Sequence, residues 1–234
     1  ADLATNHASP RPLANAAKGI VVSSHYRQAP ENPFPASHED AFAAYKWTIA
    51  NARSFNGDPG KIAVAGESAG GNMAAAVCLM ARDQGLALPV HQLLVYPVAG
   101  TDMNTASYQE NANAKPLNKP TMEWFAKHEC QNPDDLKDER VNLVNANLRG
   151  VPAATIITAQ IDPLRSEGKM LADRLQAAGV KVDFKNFDGV THEFFGMGAV
   201  VDQAREAVQF AAKGLSRDFS KPTFAPTGRD HKAP

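Results

Sequence analysis

Cysteine is scarce in this sequence. Only Cys78 and Cys130 occur among 234 residues, too few for a disulfide framework, so free thiols and a cytoplasmic, reducing setting are expected. No grouping of cysteine and histidine has metal-ligand spacing, and no cofactor is expected. Neither sign of charge dominates: 25 acidic residues face 24 basic ones, for a formal net charge of −1. That balance removes the electrostatic case for nucleic acid or an anionic membrane. No apolar run approaches the roughly 18 residues of a membrane span, and no repeat of useful period is present. No signal peptide is visible at Ala1.

What is present is a chain long enough for one domain with a sizeable core and an insertion. Strand and helix patterns alternate, which predicts an α/β fold with a mostly parallel sheet and helices on both faces. Strands are expected at 20–25, 61–65, 90–95, 153–159 and 181–187. Helices are expected at 12–18, 38–55, 72–82, 167–178 and 199–213. Ser37 is the expected N-cap of the second element at 38–55, with Glu39 and Asp40 favouring its positive end. Residues 100–150 turn polar and proline-punctuated, with one short helix at 120–128 carrying Trp124 and Phe125. A structureless loop of that length is unusual in a compact domain. It reads as a cap or lid between core segments 1–99 and 151–215, with 216–234 an irregular tail.

One motif carries chemistry. Gly66-Glu67-Ser68-Ala69-Gly70 is a G-x-S-x-G sequence after a short apolar strand and before an Ala-rich helix. The pattern alone is unspecific, and its simplest alternative is a tight turn. In a strand–turn–helix context it is the nucleophile elbow of an α/β hydrolase. The sharp turn predicts that glycine is required at both ends. A serine hydroxyl needs a base, and the base an orienting acid. Downstream stand His91, His128, His192 and His231. His192 alone follows the last predicted strand in a loop, where sheet-based catalytic groups gather. Asp162, at the end of the strand at 153–159, is the leading acid candidate, although an N-cap role is open to it. Asp188 is a rival that reads better as a turn residue. Gly196-Met197-Gly198 lacks the third glycine of a dinucleotide fingerprint and follows no strand.

Several motifs together resemble the bacterial hormone-sensitive-lipase-like esterases, a branch of the α/β hydrolases. They are Tyr26-Arg27-Gln28-Ala29-Pro30-Glu31 with Phe34-Pro35-Ala36, then Gly66 to Asn72, Asp162-Pro163-Leu164-Arg165 and Gly189-Val190-Thr191-His192-Glu193-Phe194. The resemblance spans residues 11–213. It implies hydrolysis of short- to medium-chain acyl esters, with Ser68 as nucleophile, His192 as base, Asp162 as acid and the Ala69 amide as an oxyanion donor. It departs at Glu67, where the family usually carries Asp. Tyr96, Leu164 and Phe194 are candidates for an acyl pocket or for plain core. A homodimer is an open expectation. The competing class is a non-catalytic small-molecule binder on the same scaffold.

The family's His-Gly-Gly-Gly stretch, which supplies further oxyanion amides, does not occur in this sequence. Its absence predicts that the chain is the C-terminal piece of a longer protein, completed by a segment in the same or another chain. Losing oxyanion donors costs about 10²–10³ in rate.

Overall fold

The computed structural model describes residues 8–222. Its centre is a four-stranded, all-parallel sheet in the order β1-β2-β3-β4. The strands are β1 (Val64–Glu67), β2 (Gln92–Val95), β3 (Ala154–Ile161) and β4 (Val182–Thr191). Parallel neighbours need crossovers. α3 (Ala69–Asp83) joins β1 to β2, and α6 (Arg165–Ala177) joins β3 to β4. Parallel sheets of this kind are buried on both faces, and the side chains divide accordingly. Leu94 and Ile156 face the layer built by α3 and α6. Leu93, Val95, Ile157 and Ala159 face the opposite layer. That second layer contains α1 (Pro10–Ala17) and α7 (Asp202–Phe219), which pack on each other. α2 (Ala36–Asn51) lies on α3, with Phe42 and Tyr45 buried against Val77 and Ala81.

Several expectations need correction. Residues 20–25 join no sheet, and Ile20, Val21 and Val22 are 57%, 41% and 43% exposed. An apolar β-branched run becomes a strand only where a partner completes its hydrogen bonds. Among the described residues, β1 and β4 are the two edges. Ser37 does not cap α2, because the helix begins at Ala36 behind Pro35. The Ser37 hydroxyl instead donates to Glu129 Oε1 at 2.9 Å. The helical stretch expected to reach 55 breaks into a 3₁₀ turn over Ala52–Phe55. β4 continues past 187 to Thr191, so Asp188 lies within a strand rather than a turn. The extension pairs Ile161 with Thr191 across a register irregularity.

The region at 100–150 is more structured than its polarity suggests. Besides α5 (Lys119–Glu129) it forms α4 (Ala106–Glu110) and 3₁₀ turns at Asp135–Lys137 and Leu143–Asn145. Leu143, Val144, Ala146 and Leu148 enter the main core. α7 runs to Phe219, so the expected irregular tail starts as helix; residues 223–234 lie outside the described residues. No helix of the described residues is long and apolar enough to cross a membrane.

Candidate active site

Three loops leave the C-terminal ends of β1, β3 and β4 on the same side of the sheet, because all strands run parallel. Each places one polar side chain there. Ser68 sits between β1 and α3 with φ 57° and ψ −121°, a region that side-chain-bearing residues rarely occupy. The turn is held by its backbone. Ser68 N–H donates to Val95 O at 2.9 Å, and Ser68 O accepts from Asn72 and Val98 at 3.2 Å each. A Cβ on Gly66 would lie 2.0 Å from Gly70 O, so the chain crosses itself too closely for any side chain there. The expectation for Gly70 was wrong: a Cβ there meets nothing within 4 Å among the described residues. Only its carbonyl is crowded.

Asp162 follows β3 and is fully buried. Its Oδ1 accepts the Leu164 N–H at 2.9 Å, an Asx turn that fixes the carboxylate. Its Oδ2 lies 2.7 Å from His192 Nδ1. His192 follows β4, 4% exposed, and its Nε2 lies 3.0 Å from Ser68 Oγ. A carboxylate only accepts hydrogen bonds, so Nδ1 carries the proton. Nε2 is thereby left as an acceptor facing the serine hydroxyl. The rival Asp188 accepts from Asn186 Nδ2 at 2.9 Å instead. His128 packs edge-on against Trp124, with ring centroids 4.3 Å apart. His231 lies outside the described residues. Ala69 opens α3, where the first amides of a helix have no partner within it.

The family described as the alpha/beta hydrolase fold matches residues 1–196. The chain belongs to the α/β hydrolases, in their hormone-sensitive-lipase-like branch. It is 39% identical over 211 residues to carboxylesterase NlhH of Mycobacterium tuberculosis, covering 88% of this chain and 66% of that protein. It is 40% identical over 212 residues to esterase LipI of the same organism, covering 88% and 65%. The thermostable esterase structure from Pseudomonas putida superposes with a TM-score of 0.91 at 30% identity, covering 95% of this chain and 71% of that one. The chain thus spans about two thirds of the length of these relatives.

Within this α/β-hydrolase frame, the candidates for an acyl pocket sit deep. Leu164 is fully buried among Tyr108, Leu117 and Met122 under α4 and α5. Phe194 is 1% exposed and packs on Phe187 and Tyr96. Tyr96, also 1% exposed, lies against His192. Sequence reasoning missed the supporting contacts. His38 Nε2 donates to Asn72 Oδ1 at 2.8 Å. Asn72 Nδ2 donates to the carbonyls of Val98 and Val141 at 3.0 and 3.1 Å, tying the helix after Ser68 to the segment that follows β2 and to the later part of the region at 100–150. Burial lowers the His38 pKa, against the raising effect of the Asn72 hydrogen bond. Ser107 of α4 and Asn111 just after it donate to the carbonyls of Pro163 and Asp162, bracing the acid loop. Glu167 Oε1 accepts from Ala99 and Gly100 at 2.8 and 3.3 Å. Burial pushes the Glu167 carboxyl up to about 8. Nothing in the local sequence marks these pairs except the closeness of Asn72 to Ser68.

Proposed function

We propose that the chain carries the catalytic centre of a serine carboxylesterase acting on short- to medium-chain acyl esters. The observation that carries this reading is the position of His192, hydrogen-bonded to the Asp162 carboxylate on one side and within 3.0 Å of Ser68 Oγ on the other. His192 Nε2 accepts the Ser68 proton as the serine oxygen attacks the acyl carbon. Asp162 holds the tautomer and stabilises the imidazolium. The Ala69 amide, at the start of α3, donates to the oxyanion. His192 then returns the proton to the leaving alkoxide. A water activated by the same nitrogen attacks the acyl-enzyme, releases the acid and restores Ser68.

Residues 8–99 and 151–215, joined by Leu143, Val144, Ala146 and Leu148, form the core that presents these groups, and α4 and α5 act as a cap against the acid loop. The ester preference rests on the esterase relatives and the short acyl range on the family resemblance. A cytoplasmic setting accords with Cys78 and Cys130 being free thiols.

The test is a Ser68→Ala variant of the complete protein, assayed with p-nitrophenyl butyrate and a fluorophosphonate probe. Hydrolysis and labelling are both expected to vanish. Hydrolysis that survives the substitution, or a probe that modifies another residue, overturns the assignment. A wild type that does neither favours the small-molecule binder.

A further inference from the structure

Tyr96 directly follows β2 and has φ +35°, outside the relaxed range for a residue with a side chain. Its ring is almost fully buried, 4.4 Å from the His192 ring by centroid, with the planes inclined at 49°. Phe194 supports it from the side at 6.1 Å and 60°. Its hydroxyl donates to Glu67 Oε2. Glu67 is the last residue of β1 and the immediate neighbour of Ser68. A closed circuit results, from Ser68 through Glu67, Tyr96 and His192 back to Ser68 Oγ. Neither the elbow motif nor the acid–base pairing calls for it.

We propose that Glu67 and Tyr96 are a positioning pair that sets the His192 imidazole against Ser68 and favours the imidazolium formed during acyl transfer. The inference rests on the esterase reading above. A phenol that donates to a carboxylate has a more electron-rich ring. The face of such a ring attracts a cation within about 6 Å. Neutral imidazole gains little from that face, so the contact strengthens only as the proton moves from Ser68 to Nε2. An interaction that grows on the way to the transition state raises kcat and leaves KM unchanged. Burial, followed by the charges of Glu67, Glu193 and Asp162, drives the Tyr96 hydroxyl well above its ordinary pKa. It therefore stays a donor at any working pH.

The experiment compares Tyr96→Phe, Tyr96→Leu, Glu67→Gln and the Tyr96→Phe/Glu67→Gln pair in the complete protein with p-nitrophenyl butyrate. The two conservative single variants should each lower kcat by about 3- to 30-fold with KM unchanged. The double variant should be no slower than the slower single, because Tyr96→Phe removes the donor and Glu67→Gln the acceptor's charge of one and the same contact. Tyr96→Leu should be slower than Tyr96→Phe, since Phe keeps the ring face. A rise in KM at constant kcat would assign Tyr96 to substrate binding and overturn the proposal. Effects that multiply in the double variant overturn it as well. Should Tyr96→Leu not fold, the cycle of the two conservative variants decides. A wild type that neither hydrolyses the ester nor takes the fluorophosphonate at Ser68 overturns the esterase reading and this inference together. An active wild type with the wrong variant pattern overturns this inference alone.

Discussion

His91 Nδ1 lies 2.7 Å from Asp218 Oδ2, the same separation as between His192 Nδ1 and Asp162 Oδ2. The likeness continues on the other nitrogen, where Thr155 Oγ1 lies 2.9 Å from His91 Nε2. The place differs. His91 precedes β2 and Thr155 is near the start of β3, so this second hydroxyl–imidazole–carboxylate set sits at the opposite end of the sheet from Ser68. It is wholly buried, and a Cβ on Gly214 would come within 2.3 Å of Thr155 Oγ1. No substrate fits there. Asp218 also pairs with Arg217 and Lys221 at 3.0 and 2.6 Å. The set clamps the last turn of α7 to the sheet.

Asp218→Ala should therefore be a stability variant. It removes the shared acceptor of a buried imidazole and two cations, and breaking a buried pair costs about 3–5 kcal/mol. Urea unfolding should show that loss. The kcat of the folded fraction should be unchanged, because the clamp lies far from Ser68. Burial alone would raise the Asp218 carboxyl, but Arg217, Lys221 and His91 hold it well below the usual range. A depressed acid stabilises the fold above its unfolded pKa, near 4, and that contribution is lost as the pH falls below it.

The two glycines of the elbow should respond differently. Gly66→Ala forces a Cβ into Gly70 O and should destabilise the fold by more than about 3 kcal/mol. Gly70→Ala meets no atom within 4 Å and lies inside α3, where alanine is the better helix former. It should change stability by less than about 1 kcal/mol. Thermal unfolding of the two variants side by side checks the contrast.

Asp162→Asn keeps the side-chain shape but replaces a pure acceptor with an amide. The imidazole then loses the partner that holds its proton on Nδ1. A drop in kcat of about 10³–10⁴ is expected, with little change in unfolding midpoint. Steady-state kinetics beside calorimetry separates that outcome from loss of fold.

Glu167 should make stability fall as the pH rises from the acid range toward about 8. Its carboxyl titrates near 8 in the fold because it is buried, against 4.5 when unperturbed. The folded state then holds a proton that the unfolded state has released between those values. Stability from this group is full below about 4.5 and is lost as the pH rises toward 8. Glu167→Gln has no proton to lose. Relative to wild type, it should gain stability between pH 5 and pH 8, measured by urea titration at both.

The local elements could be read from the sequence wherever one stretch of chain contained the whole cause. The Ala-rich helix after Ser68 and the buried strand before Asp162 are of this kind, and both formed with only their ends shifted. The segment at 20–25 failed because a strand is defined by its neighbour, which its own residues do not name. Ser37 failed because a cap competes with other partners, and Glu129, far along the chain, took its hydroxyl. Glu67–Tyr96 and His91–Asp218 left no local trace. Each joins residues that are unremarkable within their own segments.

The sequence by itself determined that Ser68, Asp162 and His192 each stand at the C-terminal end of a strand. The motif, the chain order and the strand patterns are all local properties. Only the tertiary structure decided that the three side chains meet, across separations of 124 and 30 residues. It also decided that the equally well-formed set around His91 lies buried at the opposite end of the sheet. The reason is geometric. A parallel sheet gathers the ends of distant strands on one side, and which groups share that side depends on strand order and direction. Local pattern names the candidates, and the sheet selects among them.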